Sequence, residues 1–165
     1  VTIPHRGATS KSTYFITADT FQKMAVLQSE RMATLLIDVL QHYRNQGKFK
    51  LHEFVVMPNH LHLLVSPECV TLERSMQLIK GGFSFRAGKE LGVKGEIWQT
   101  SFHDRRVRDA EEYQKFRLYI HDNPVQARLV HIASEWPYSS ASGNFTLDDV
   151  PQRLKPLESA ANMQA

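Results

Sequence analysis

The chain holds a single cysteine, Cys69, among 165 residues, which excludes an intramolecular disulfide and a cysteine-only metal site. It has no run of eighteen apolar residues, so no transmembrane helix is expected. Its first residues, VTIPHRGATSKSTYF, lack the apolar stretch of a signal peptide. Internal repeats and low-complexity tracts are absent, which leaves an ordinary globular domain with a real core. Acidic residues run short in one region. Between Ile79 and Arg108 three Asp/Glu stand against seven Lys/Arg, and the rest of the chain is slightly acidic. Such clustering suits a polyanionic partner, because neutralising phosphates releases counterions; on charge alone a solvated basic face accounts for it equally well. A reduced, bacterial-type cytoplasm is the simplest compartment.

What is present is a run of alternating patterns. STYFITADT alternates as a first strand. From Phe21 to Asn45 the period is helical, with Met32, Leu35, Leu36, Val39, Leu40 and Tyr43 on one face and Gly47 to end it. KFKLHEFVVM and HLHLLVSP are strands, joined through Pro58-Asn59 into a hairpin. TLERSMQLIKGGFSFRAGKEL is helical, capped by Thr71, and its Gly81-Gly82 pair is costly there and needs a reason. EIWQTSFHDRRVR alternates as a fourth strand. Asp109 opens a third helix, AEEYQKFRLYIHDN, which Pro124 is expected to end at Asn123. The expected class is α+β: a ferredoxin-like β-α-β-β-α-β antiparallel sheet, helices on one face, with an additional C-terminal helix. Residues 1–142 form the domain and 143–165 a partly flexible extension, ending in a mobile LESAANMQA tail.

Chemistry concentrates in MPNHLHLLVSP, from Met57 to Pro67. Residues two apart on a strand share a face, so His60, His62 and Leu64 point one way and Leu61, Leu63 and Val65 the other. Two imidazoles so placed can ligate one divalent ion, though a bare H-x-H also arises as two surface histidines beside a turn. YIHDNPV supplies what the pair lacks. Tyr119 and Asn123 stand one helical turn apart, offering a phenol beside an amide carbonyl that can bind a hard cation. Alone, Tyr119 reads as a continuation of the apolar stripe of Tyr113, Phe116 and Ile120. His52, His121 and His131 are not expected to be ligands.

HLH after a Pro-Asn turn, followed far downstream by YIHDNPV, resembles the REP-associated tyrosine transposases over roughly residues 13–140. These belong to the HUH endonucleases, named for two histidines around a bulky hydrophobic residue, here His60-Leu61-His62. The resemblance implies a DNA nickase and strand transferase with Tyr119 as nucleophile. It makes His60 and His62 ligands of Mg²⁺ or Mn²⁺ and puts Asn123 in the third ligand's place. Insertion-sequence relatives commonly carry glutamine there, so Asn123 is a departure. The implied substrate is single-stranded DNA carrying a hairpin, such as REP elements, in the bacterial cytoplasm at the nucleoid. Classical relatives dimerise and exchange the tyrosine helix; the REP-associated branch more often acts as a monomer, so cis and trans action both stay open. In that light Lys80, Arg86, Lys89, Arg105, Arg106 and Arg108 are candidate phosphate contacts. Phe83, Phe85, Trp98 and Phe102 are candidate base platforms, Phe83 and Trp98 competing with a core role, and Gly81-Gly82 would admit a DNA backbone. An inactive nucleic-acid-binding domain of the same fold is the alternative. A cupin-type metal hydrolase is excluded, because three long helical patterns leave too few strands for a barrel.

Overall fold

The computed structural model describes residues 11–156. Strands β1 (Tyr14–Asp19), β2 (Phe49–Met57), β3 (His60–Pro67) and β4 (His103–Arg106) form one antiparallel sheet in the order β2-β3-β1-β4. Helices α1 (Glu30–Asn45) and α2 (Leu72–Leu91) separate the strands, and α3 (Ala110–Gln126) follows them. This is the expected α+β class and element order. Among the described residues, no helix is long and apolar enough to cross a membrane.

The helices do not share one face. Ile16, Ala18, Leu61, Leu63 and Val65 pack in one core with α1 and α2. Phe15, Val55 and Leu64, on the other side of the same strands, pack with Tyr113, Phe116 and Ile120 of α3. Strands apolar on both sides demand a cover on both, and α3 supplies the second. The consequence is functional: α3 lies on the face to which His60 and His62 point.

Local chemistry sets the element ends. Residues 21–29 are not α-helical; a short 3-10 turn (Phe21–Lys23) precedes Ser29, whose side chain accepts from the Met32 N–H and starts α1. Gln22 and Lys23, with φ of 53° and 56°, are incompatible with an earlier start. Gly47 closes α1 at φ 72°, the left-handed region it tolerates. The caps at Thr71 and Asp109 form as expected. β4 is only four residues long, and Trp98 joins the sheet through an isolated bridge to Thr20.

Pro124 does not end α3, which continues to Gln126. Its ring is buried on the helix's core stripe, and its missing N–H forfeits a single bond in the last turns. Asn123 is therefore inside the helix. After α3 the chain returns along the free edge of β2. Tyr138 accepts from the Val56 N–H, and the Trp136 indole N–H donates to the Val56 carbonyl. Asp148 exchanges bonds with Leu51 and pairs with Arg44 at 2.9 Å. Leu154 is fully buried in the second core. Residues 143–156 thus pack against the rest of the domain; the LESAANMQA tail lies outside the described residues.

Candidate active site

Pairing of β1 with β3 puts Thr17 opposite His62 and Asp19 opposite His60. Side chains directly opposite across a sheet share a face, so Thr17 and Asp19 join the imidazoles beneath α3. The His60 and His62 ring centroids are 4.7 Å apart. The Tyr119 ring stands edge-on to His62 at 5.3 Å and to Phe15 at 5.9 Å. One turn on, Asn123 Oδ1 lies 3.2 Å from His60 Nε2, 63 residues away in sequence. The four residues expected to cooperate are therefore brought together within one chain.

Each imidazole has a polar neighbour at Nδ1. His60 Nδ1 lies 2.7 Å from Asn59 Oδ1; in the tautomer that donates there, the Nε2 lone pair faces Asn123. His62 Nδ1 lies 3.0 Å from the Thr17 hydroxyl, which can accept its proton and free Nε2 in the same way. Burial and the neighbouring His60 push His62 down to about 4. Burial also lowers His60, against the opposing pull of Asn123 and Asp19. Both rings are thus neutral donors at pH 7. In the other tautomer of His60, Nε2 donates to Asn123 Oδ1; with the proton on Nδ1, Nε2 and Oδ1 are two acceptors facing one another, an arrangement that a shared cation would relieve. Among the described residues no three His, Cys, Asp or Glu side chains group together, so a metal held here by three side chains would need one ligand of another residue type. Neutral N, N and O donors fit a divalent ion and leave its charge for an anionic substrate.

Tyr119 is 53% exposed, so its side chain is open to solvent. Arg105, on the same sheet face opposite Phe15, lies over the Phe116 ring at 5.7 Å. His103 is opposite Thr17 in β4 and is exposed on that face too. The other basic candidates are dispersed. Arg106 is opposite Tyr14 and so points to the far face. Arg108 pairs with Glu112, and Arg86 with both Glu90 and Asp38. Lys80 donates to the carbonyls of Gln99 and Ser101, while Lys89 stands 6.0 Å from the exposed Phe85 ring. Phe83 and Trp98 are buried against each other. Gly82 has a packing reason: a Cβ there would sit 2.9 Å from the Tyr43 hydroxyl, whereas nothing lies within 4 Å of one at Gly81. Asn59, Thr17 and His103 are the neighbours to which sequence patterning assigns no role. Only the Pro58-Asn59 turn carried a signal, and it reads as turn chemistry alone.

The chain is similar to known proteins. A family model described as "Transposase IS200 like" matches residues 8–123. A REP-associated tyrosine transposase of Escherichia coli (strain K12) is 26% identical over 153 residues, 92% of this chain and 86% of that protein. The solved structure of a REP-associated tyrosine transposase bound to a REP hairpin superposes with a TM-score of 0.63, at 23% identity and over 100% of both chains.

Proposed function

The chain belongs to the IS200-like transposases, and we propose that it nicks and rejoins single-stranded, hairpin-bearing DNA with Tyr119 as nucleophile. The observation that carries the reading is the convergence of a phenol, two neutral imidazoles and an amide oxygen on one face of one chain. The hairpin substrate is supported by the REP hairpin in the structural relative.

In this reading His60, His62 and Asn123 would hold Mg²⁺ or Mn²⁺, which would supply Lewis-acid polarisation of the scissile phosphate. Tyr119 Oη attacks phosphorus; the new Oη–P bond forms as the bond from phosphorus to the 3′-oxygen breaks. The phenol proton passes to solvent, and the departing 3′-oxygen takes up a proton. A 5′-phosphotyrosine and a free 3′-hydroxyl result. The phosphodiester is kept, so a second 3′-hydroxyl reverses the step and joins strands without a nucleotide cofactor. Phe15 and His62, edge-on to the ring, restrict its approach, and Arg105 is the basic candidate best placed to meet a phosphate on this face.

A labelled single-stranded hairpin incubated with the protein and Mn²⁺ is expected to give a covalent adduct on a denaturing gel, and Tyr119→Phe none. Adduct formation by that variant would remove Tyr119 from its role. No wild-type adduct across a set of hairpins would leave a DNA-binding domain without chemistry.

A further inference from the structure

Glu53 is a carboxylate on an otherwise apolar strand face. It stands opposite Leu64, faces α3 and is 8% exposed. Arg117 Nε donates to its Oε1 at 3.1 Å, His121 Nε2 lies 2.8 Å from its Oε2, and the Ser140 hydroxyl donates to Oε2 as well. None of these side chains enters the chemistry above. An apolar residue would fill the position without the desolvation that a buried carboxylate suffers, so the network invites a functional reason.

The geometry of α3 supplies one. Its buried stripe is Tyr113, Phe116, Ile120 and Pro124. Arg117 and His121 follow Phe116 and Ile120 by one residue and form one flank. Tyr119 and Asn123 follow the same residues by three and form the other flank. The helix therefore lies between the Glu53 carboxylate and the histidine pair. Apolar packing along the stripe is non-directional and leaves the roll of the helix about its axis weakly fixed. Tyr119 is half exposed, and its ring meets Phe15 and His62 edge-on. On that flank the polar contact is Asn123 with His60 at 3.2 Å, whereas the opposite flank ties two successive turns, Arg117 and His121, to the one Glu53 carboxylate, and such paired directional bonds can set the roll. Burial acts to raise the Glu53 carboxyl, but the bonds from His121 and Ser140 outweigh it and bring it below the ordinary carboxylate value; the anion thus persists at neutral pH.

The geometry points to Glu53 as a positioning residue that, through Arg117 and His121, sets the roll of α3 and so the approach of Tyr119 to His62. Its catalytic consequence rests on Tyr119 being the nucleophile; its structural consequence does not.

The test uses the full chain with Glu53→Leu and Glu53→Gln, its tyrosine rings ¹³C-labelled for NMR. Tyr119 is edge-on to Phe15 and His62, so ring currents displace its resonances. In Glu53→Leu they are expected to move to solvent-exposed positions while amide resonances of the sheet hold. The single-turnover rate of adduct formation at saturating DNA should fall by about tenfold or more, as a misplaced nucleophile requires, with DNA affinity unchanged within about twofold. Glu53→Gln, which keeps one acceptor oxygen, should fall between wild type and Glu53→Leu in both readouts. Should Glu53→Leu fail to fold, Glu53→Gln and His121→Gln carry the same comparison. Unmoved Tyr119 resonances overturn the proposal, as does a wild-type rate with displaced resonances. So does a parallel loss of rate, DNA affinity and thermal stability, the mark of a merely structural role. If wild type itself gives no adduct, the tyrosine reading fails, and the resonances alone decide whether Glu53 positions the ring.

Discussion

His62 is 4% exposed, and its environment favours the neutral ring. Unfolded, the imidazole titrates near 6.5; folded, near 4. Above pH 6.5 neither state is protonated and the full stability is present. As pH falls the unfolded chain takes up a proton that the folded chain refuses, so stability declines until the pH passes the folded value. The interval corresponds to about 3 kcal/mol. Urea unfolding of metal-free protein is expected to show this loss between pH 6.5 and 4, with a shallower decline in His62→Gln. Equal slopes would refute the assignment. Asn59 gives a second residue-scale expectation, since it orients His60 through Nδ1. Asn59→Ala should weaken Mn²⁺ binding by roughly 10–100-fold, measured calorimetrically, while His60→Ala abolishes it. The histidine pair and its shared face were legible in the sequence because strand period alone dictates them. The tautomer-setting partners were not, since Thr17 and Asn59 acquire their roles only through cross-strand pairing and a turn.

Helices show where periodicity stops being informative. Its period identifies α3, and the i, i+4 spacing correctly stacks Tyr119 with Asn123. No helical pattern says which side of a sheet the helix will cover, or that a proline can sit buried within it. The double glycine of α2 is the sharper case, because two identical residues have different reasons. A Cβ at Gly82 meets the Tyr43 ring of α1, and one at Gly81 meets nothing. Gly81→Ala is therefore expected to stabilise the chain by up to about 1 kcal/mol, the helix-propensity difference. Gly82→Ala should forfeit that gain, because Tyr43 must shift to admit the methyl. Thermal unfolding of the two variants side by side tests this, and equal stabilisation would remove the packing reason for Gly82.

An open sheet has two edges, and each is a template for pairing with another chain. β4 is blunted by being four residues long, exposed and charged. β2 is nine residues long and mostly buried, the edge that most needs cover. The segment after α3 covers it through bonds from Tyr138, Trp136, Ser140 and Asp148. Side chains and isolated backbone groups make these bonds to partners some 80 to 100 residues distant, so the segment has no period and reads as weakly patterned. A chain ending at Ser142, where composition suggests the domain ends, would lose the Arg44–Asp148 pair, the Leu51 bonds, Phe145 against Phe54 and the buried Leu154. Loss of one buried leucine and a partly buried ion pair is worth about 3 kcal/mol or more. The truncated chain should melt earlier than the full chain. It should also sediment with a concentration-dependent increase in mass, as the uncovered half of β2 finds a second copy. The full chain under the same conditions is the control. If the truncated chain melts and sediments like the full chain, residues 143–156 are an appendage; if it weakens and associates, they belong to the domain that holds α3 over the histidines.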